Sequence, residues 1–241
     1  MNSPVNIICM KWGDKYEASY VNKLYNMVSR NLSKEFRFIC LTDDNSGFLP
    51  AIESFDIPKL NLPEGIPERG WTKLVTFSKH ISDIKGQCLF FDLDLIIVNN
   101  IDGLFDLPGD FLIIKDFIRR DVTGNSSVYR FQMGKFPDVL ENFEKNFEKI
   151  RTKFRNEQEY LSYYMQKKHS ISYWPLKWCQ SFKKHCVQRG LKQFFLPPSL
   201  PPEAKVIIFH GKPNPPEALA GKSGKWYRKV LPTPWIAEHW R

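Results

Sequence analysis

Two aspartates interrupt one of the most hydrophobic stretches of the chain, residues 90–98, where seven of nine side chains are apolar or aromatic. Asp92 and Asp94 are two positions apart, so in a regular strand both carboxylates would point to one face. Unpaired carboxylates on a buried face repel each other and lose hydration. We therefore expect the strand to end near Phe91 and the carboxylates to reach a cation. Mn²⁺ and Mg²⁺ take such oxygen ligands and usually keep a phosphate in their shell. The alternative is a strand-end turn with solvated aspartates.

The composition is that of one large α/β domain. Hydrophobic residues make up 42% and aromatic residues 15% of the 241 positions, enough for a substantial core. No apolar run reaches the roughly 18 residues of a transmembrane helix, and the first ten residues lack signal-peptide features. The five cysteines show no metal-ligand spacing, so we interpret them as core residues in a reducing cytoplasm.

Positive charge is concentrated in the C-terminal third. Residues 1–164 contain 21 Lys and Arg against 23 Asp and Glu, whereas residues 165–241 contain 14 against 3. Such a surface favours anionic neighbours: a nucleotide diphosphate, an anionic lipid or a nucleic acid. Cations alternate with aromatic residues near the end of the chain, which predicts a peripheral membrane contact unless this tail folds back on the domain. These residues are Lys222, Lys225, Arg228, Lys229, Trp226, Tyr227, Trp235 and Trp240.

Hydrophobic periodicity predicts alternating strands and helices joined by parallel crossovers. Loops at the carboxyl ends of such strands form a ligand crevice. Either of the first two loops is a solvated turn or a nucleotide contact, with Trp12 stacking on the base and Asp43 bonding the base or ribose. Strands are predicted at residues 5–10, 36–41, 90–98, 110–116 and 204–209, and helices at 17–30, 72–84, 137–150 and from 157.

Two helix starts carry charged residues. Lys73 falls in the first turn of a predicted helix, where a cation is unfavourable unless an anion such as a diphosphate lies opposite. Asn156 is the expected N-cap of a later helix, and Glu159 at its third position would complete a capping box.

Together these motifs resemble the nucleotide-sugar glycosyltransferases of GT-A fold, and especially the retaining enzymes of family eight and related bacterial sequences. The resemblance runs over most of the chain. Asp92 and Asp94 are similar to the family's Asp-x-Asp metal motif, and Lys73 to the basic residue that contacts the donor. Asn125 and Ser126 occupy the place of its Asn-containing loop near the donor sugar.

Two further segments are similar to family motifs. Glu157 and Gln158 resemble an Asp-Gln-Asp segment beside the anomeric carbon, with Glu157 replacing an aspartate. His210 and Lys212 resemble a late motif in which His binds the metal and Lys the diphosphate. Familiar members place more residues between these two, so the resemblance is weaker at Lys212.

The resemblance implies a mainly parallel, Rossmann-like α/β sheet flanked by helices in residues 1–220, with a basic aromatic tail in residues 221–241. It implies a metal-dependent hexosyltransferase using a UDP-sugar and a saccharide or lipid-linked acceptor. Bacterial surface polysaccharide or lipopolysaccharide synthesis would be its setting, in the cytoplasm or peripheral on the inner membrane, without nucleic acid. Mn²⁺ or Mg²⁺ would be held by Asp92, Asp94 and His210.

Retention of configuration requires either a nucleophile on the far face of the sugar or same-face attack guided by the leaving group. Because Gln158 is a poor nucleophile, we favour same-face attack, with Gln158 and Glu157 positioning the sugar. A haloacid-dehalogenase-type phosphatase also uses an Asp-x-Asp after an apolar strand, but such motifs usually open the chain. A non-enzymatic module that binds anionic surfaces would leave the buried carboxylates and His210 without a role.

Overall fold

The structure is a computed structural model, and it describes residues 3–63, 69–119, 121–223 and 229–241. The described strands are β1 (Val5–Lys11), β2 (Phe36–Thr42), β3 (Glu53–Phe55), β4 (Gln87–Phe91), β5 (Leu95–Ile97), β6 (Leu112–Lys115), β7 (Gly124–Gln132), β8 (Ser172–Tyr173), β9 (Cys179–Ser181) and β10 (Val206–Ile208). The described α-helices are α1 (Ala18–Asn31), α2 (Gly103–Asp106), α3 (Pro137–Lys145), α4 (Phe147–Lys153), α5 (Glu157–Lys168), α6 (Pro215–Leu219) and α7 (Trp235–His239). Two 3-10 helices, Arg69–Phe77 and Gly190–Phe194, and a π-helical turn, Phe182–Cys186, complete the described elements.

A seven-stranded sheet forms the centre of the molecule, in the order β3-β2-β1-β4-β7-β6-β8. Strands β3, β2, β1 and β4 are parallel, whereas β7 runs antiparallel to β4 and β6. The expected mainly parallel α/β architecture is confirmed.

Both faces of this sheet are covered. Along β1, Ile7 packs into one core cluster with helix α1, and its neighbour Ile8 packs into the other with Trp71 and Phe143. Successive side chains of a strand point to opposite faces, so an unbroken apolar run fits a strand buried on both sides.

The stretch at residues 90–98 is two strands rather than one. Strand β4 ends at Phe91, as expected, and the chain turns through the two aspartates. Strand β5 then joins a separate three-stranded sheet, pairing antiparallel with β10, which pairs parallel with β9. The turn has a simple physical cause, since carboxylates cannot continue through a buried sheet without partners.

Two helix predictions are wrong in form. The segment predicted as a helix over 72–84 is a 3-10 helix, Arg69–Phe77, in which the Thr76 hydroxyl donates to the Lys73 carbonyl oxygen. That side-chain bond competes with the regular α-helical ladder. The helix predicted over 137–150 is divided at Asn146, whose N–H donates to the carbonyls of Asn142 and Phe143.

The described part of the C-terminal tail packs on the domain. Ile236 and Trp240 are buried in the core cluster that contains α1, and the Trp240 ring lies edge-on to Tyr20 at 5.1 Å between centroids. Trp235 Nε1 donates to the Pro198 carbonyl at 3.0 Å. These two tryptophans are therefore structural. Four other predicted tail contacts, Lys225, Trp226, Tyr227 and Arg228, lie outside the described residues.

The domain boundary at residue 220 and the membrane contact of the tail stay predictions. Among the helices that the structure describes, none combines the length and apolar character needed to cross a membrane.

Candidate functional site

Four of the predicted site residues lie in the loops that follow β1, β2 and β4. The Gly13 N–H donates to Asp43 Oδ2 at 2.9 Å, which ties the loop after β1 to the loop after β2. Gly13 has φ of +57°, a left-handed conformation that glycine adopts readily. Trp12 is 40% exposed and lines a cleft of about 290 Å³ that also includes Lys73, Asp92 and other residues. The two loops are thus joined where parallel strands are expected to bind a ligand.

Asp94 is held by a tyrosine from the first loop. The Tyr16 hydroxyl donates to Asp94 Oδ2 at 2.8 Å. Burial, followed by repulsion from Asp92, raises the pKa of the Asp94 carboxyl. Burial and the Asp94 carboxylate likewise raise the pKa of the Tyr16 phenol, which keeps its proton and stays a donor. The sequence analysis missed Tyr16; its signal was an aromatic residue in a loop that follows a central strand.

Lys73 neutralises part of the carboxylate cluster. Its Nζ donates to Asp92 Oδ1 at 2.7 Å and lies 3.8 Å from Glu157 Oε1. It also donates to the Ser126 carbonyl oxygen at 3.3 Å. Although burial favours the neutral amine, Asp92 and Glu157 raise the pKa of Lys73, so the ammonium persists. Lys73 therefore reaches the predicted site, where its direct partner is a carboxylate.

The start of β7 and the start of α5 meet beside this cluster. The Ser126 hydroxyl donates to Glu157 Oε1 at 2.7 Å, and the Ser126 N–H points to Gln158 Oε1 at 3.4 Å. A Cβ at Gly124 would lie 2.7 Å from the Ile113 side chain, so this close approach of β7 to β6 requires glycine. The start of β7 thus holds the first turn of α5 and, with it, the side chains of Glu157 and Gln158.

The N-cap of α5 is confirmed and its capping box is not. Asn156 Oδ1 accepts from the Glu159 N–H at 3.1 Å. Glu159 accepts instead from the N–H of Arg155 at 3.1 Å and from the Arg119 guanidinium at 2.6 Å. Two arginines attract this carboxylate more strongly than one neutral N–H does.

A second, larger cavity has a volume of about 680 Å³ and is lined by different residues from the smaller cleft. Glu157 lines the smaller cleft, and Gln158 and Asn125 line the larger cavity. Asn125 Oδ1 accepts from the Ser127 N–H at 3.1 Å, which orients its amide. Four cations also line this cavity, and the sequence analysis did not single them out. They are Arg119, Arg155, Lys183 and Lys184.

His210 lines the larger cavity with an unused nitrogen. Its Nε2 is buried and has no hydrogen-bond partner, and its ring lies 5.3 Å from that of Phe117. Burial and the positive charge of Lys183 lower the pKa of His210, so the imidazole is neutral near pH 7. Among the residues that the structure describes, no three His, Cys, Asp or Glu side chains form a ready metal cluster. The metal set of Asp92, Asp94 and His210 stays a prediction.

Lys212 lines neither cavity, as is also true of Asp43 and Ser126 among the predicted site residues. Its side chain is 69% exposed, and its Nζ lies 3.3 Å from Glu217 Oε1. Its contact with a diphosphate stays a prediction.

Comparison with known proteins gives the fold. No protein-family model matches the chain, and no curated protein sequence matches it. The galactosyltransferase LgtC, solved with donor and acceptor sugar analogues, superimposes with a TM-score of 0.62 at 14% identity, over 97% of this chain and 99% of LgtC.

Two further solved structures are similar. GlyE, a glycosyltransferase of Streptococcus pneumoniae TIGR4, has a TM-score of 0.58 at 14% identity over 89% of this chain and 56% of GlyE. The bifunctional glycosyltransferase WbbM has a TM-score of 0.61 at 14% identity over 89% of this chain and 47% of WbbM. The chain therefore has the fold of these glycosyltransferases, the GT-A fold.

Proposed function

We propose that this protein is a glycosyltransferase that moves a hexosyl group from a UDP-sugar to a saccharide or lipid-linked acceptor. The observation that carries the proposal is a pair of cavities lined by consecutive residues, Glu157 in the smaller cleft and Gln158 in the larger cavity. A transferase must hold two substrates on either side of one reacting carbon, and two cavities lined by neighbouring polar side chains suit that task.

The smaller cleft suits the nucleotide. Trp12 offers an exposed ring for stacking on the base, and Asp43, bonded to the Gly13 N–H, borders the same loop. Lys73 places a buried ammonium among the carboxylates, where it would attract a diphosphate. The donor and acceptor sugar analogues bound to LgtC support the same division between a donor and an acceptor.

The residues fit a hard divalent cation. Asp92 and Asp94 supply carboxylate oxygens, and burial, followed by repulsion from Asp92, raises the pKa of the Asp94 carboxyl, so a cation beside the pair would be favourable. His210 supplies a buried nitrogen without a partner. These three residues would hold Mn²⁺ or Mg²⁺, and the ion would supply positive charge against the diphosphate leaving group.

In the proposed reaction, the bond between the sugar C1 and the diphosphate oxygen breaks, and the acceptor hydroxyl oxygen bonds to C1. The hydroxyl proton passes to the departing diphosphate. Gln158 carries an amide and is a poor nucleophile, which supports same-face attack with retention. Glu157, fixed by the Ser126 hydroxyl, and Gln158 would then orient the sugar between the two cavities.

Bacterial surface polysaccharide or lipopolysaccharide synthesis is the proposed setting. The larger cavity, lined by Gln158 and by four cations, suits an extended polar acceptor.

Titration calorimetry with UDP and Mn²⁺ tests the donor site. The parent protein is expected to bind UDP only with Mn²⁺ present, and Asp94→Asn is expected to abolish this binding while the thermal transition persists. Asp110→Asn is a matched control, because Asp110 is exposed, pairs with Lys135 and lines neither cavity, so this variant should bind UDP with Mn²⁺ as the parent does. Metal-independent binding, or unchanged affinity of Asp94→Asn, would contradict the proposed site. Slow hydrolysis of one UDP-sugar in a screen would then identify the donor.

A further inference from the structure

A compact group of exposed apolar side chains lies outside both cavities. Leu191 and Phe195 are each 77% exposed, and Phe194 and Leu196 are 51% and 49% exposed. These four residues, here called the hydrophobic patch, fall within six consecutive positions of the 3-10 helix Gly190–Phe194 and its end. They make up half of the large hydrophobic side chains that are exposed in the described part of the chain. A cluster of this kind marks an interaction surface, whereas scattered exposed apolar residues need no explanation.

The patch projects from a fixed base. Cys186 precedes the patch in the chain and is buried, and Ser199 follows the patch. The Cys186 carbonyl accepts a hydrogen bond from the Ser199 N–H at 3.0 Å. Gln193 Oε1 accepts from the Lys229 N–H at 3.0 Å, which joins the patch to the described end of the basic tail. The apolar side chains are therefore presented outward by a segment closed at its base.

The charged side chains of the segment that carries the patch are all positive. Residues 182–200 contain four Lys and Arg and no Asp or Glu. Arg189 and Lys192 flank Leu191 and are exposed, and Lys229 is bonded beside Gln193. Exposed apolar side chains with cations beside them are typical of a segment that lies at the boundary between the headgroups and acyl chains of an anionic bilayer. The same charge disfavours pairing of two copies through this face, because like charges would meet.

We propose that the hydrophobic patch is a membrane-docking surface that inserts its apolar side chains into an anionic bilayer. Arg189, Lys192 and Lys229 would contact the lipid headgroups. This role differs from that predicted for the tail tryptophans, since Trp235 and Trp240 are packed in the fold.

Docking here would bring the larger cavity close to the lipid. Ser181, Lys183 and Lys184 line that cavity, and Lys184 lies seven positions before Leu191, the first residue of the patch. This consequence rests on the proposed function, because a lipid-linked acceptor could then enter from the bilayer surface. Docking itself needs no donor and is measured without one.

Vesicle sedimentation of the full-length protein tests the proposal. The parent protein is expected to pellet with phosphatidylcholine vesicles that contain phosphatidylglycerol, and much less with phosphatidylcholine alone. Phe194→Ser combined with Phe195→Ser should lower the partition coefficient by roughly tenfold or more, since the variant has lost two rings that would be buried in the bilayer. Exposed Leu176, outside the patch, provides the matched control: Leu176→Ser should pellet like the parent.

A charge series separates headgroup attraction from insertion. Lys192→Gln should lower partition about fivefold and only at low salt, whereas Lys79→Gln, at an exposed position outside the 182–200 segment, should have no effect. Because all substituted side chains are exposed, thermal transitions should match the parent, and Leu191→Ser serves as a second variant if the double one does not fold.

Three outcomes would overturn the proposal. They are equal pelleting of the parent and folded patch variants, no pelleting of the parent, and a parent dimer that the patch variant converts to monomer without vesicle binding. Vesicle binding without sugar transfer would leave docking intact and count against the proposed function alone.

Discussion

Replacing Lys73 by methionine should destabilise the protein and make its stability depend on a divalent cation. The Lys73 side chain is 12% exposed, and its ammonium lies 2.7 Å from Asp92 and 3.8 Å from Glu157. Methionine has a similar length and no charge, so two partly buried carboxylates would lose their cation while the packing is largely kept.

The size of the effect follows from the burial of the partners. Removing one member of a buried ion pair typically costs about 3–5 kcal/mol. Asp92 and Glu157 are 26% and 13% exposed, so water still reaches them and we expect the lower end, about 3 kcal/mol. For a chain of this size that corresponds to a melting temperature lower by roughly 6–12 °C.

Urea denaturation followed by tryptophan fluorescence, with and without Mn²⁺, measures the effect. The ion should recover most of the lost stability in Lys73→Met, because it supplies the charge that the carboxylates lack. Lys73→Arg keeps the charge and is the matched control, with an expected loss of less than half as much. UDP affinity in Mn²⁺ should fall about tenfold in Lys73→Met if the ammonium also contacts the diphosphate.

A decrease in unfolding free energy of less than about 1 kcal/mol would refute the reasoning, because the carboxylates would then not need the ammonium. If Mn²⁺ raised the unfolding free energy of the parent and of Lys73→Met by the same small amount, the ion would not bind at these carboxylates.

Three other predictions concern the fold. Arg130 is buried and donates to four backbone carbonyls around α2, at 2.7–3.0 Å, so Arg130→Met should lower the unfolding free energy by about 3–5 kcal/mol in urea titration, with Arg130→Lys intermediate. Burial raises the pKa of the Cys179 and Cys186 thiols to about 12, so both should resist alkylation in the native state. Their contribution to stability is complete below the unfolded pKa of about 9 and should be lost as pH rises toward 12, which unfolding at increasing pH measures. Trp240→Ala should cost about 3–5 kcal/mol by thermal denaturation, since the ring packs on Tyr20 in the core, whereas an unchanged melting temperature would show that this ring contributes little to stability.

The local sequence was sufficient for the first half of the sheet. Strands β1 and β2 and helix α1 lie within one or two residues of their predicted bounds, because each has an unbroken apolar run or a 3.6-residue apolar stripe. The end of β4 at Phe91 also followed from local chemistry, since two carboxylates cannot enter a buried strand unpaired. The Asn156 N-cap followed from the preference of asparagine for that position.

Tertiary structure alone decided which charges meet. The sequence around Lys73 does not predict its contact with Asp92. The sequence around Tyr16 likewise does not predict its contact with Asp94, which lies 78 positions away. The antiparallel β7 between β4 and β6, which carries Ser126 to Glu157, likewise depends on strand pairing across the whole domain. Periodicity along a chain reports which face of an element is buried. The partner of a buried charge depends on how elements distant in the chain pack together. That packing excludes water, and the exclusion of water makes an unpaired charge costly.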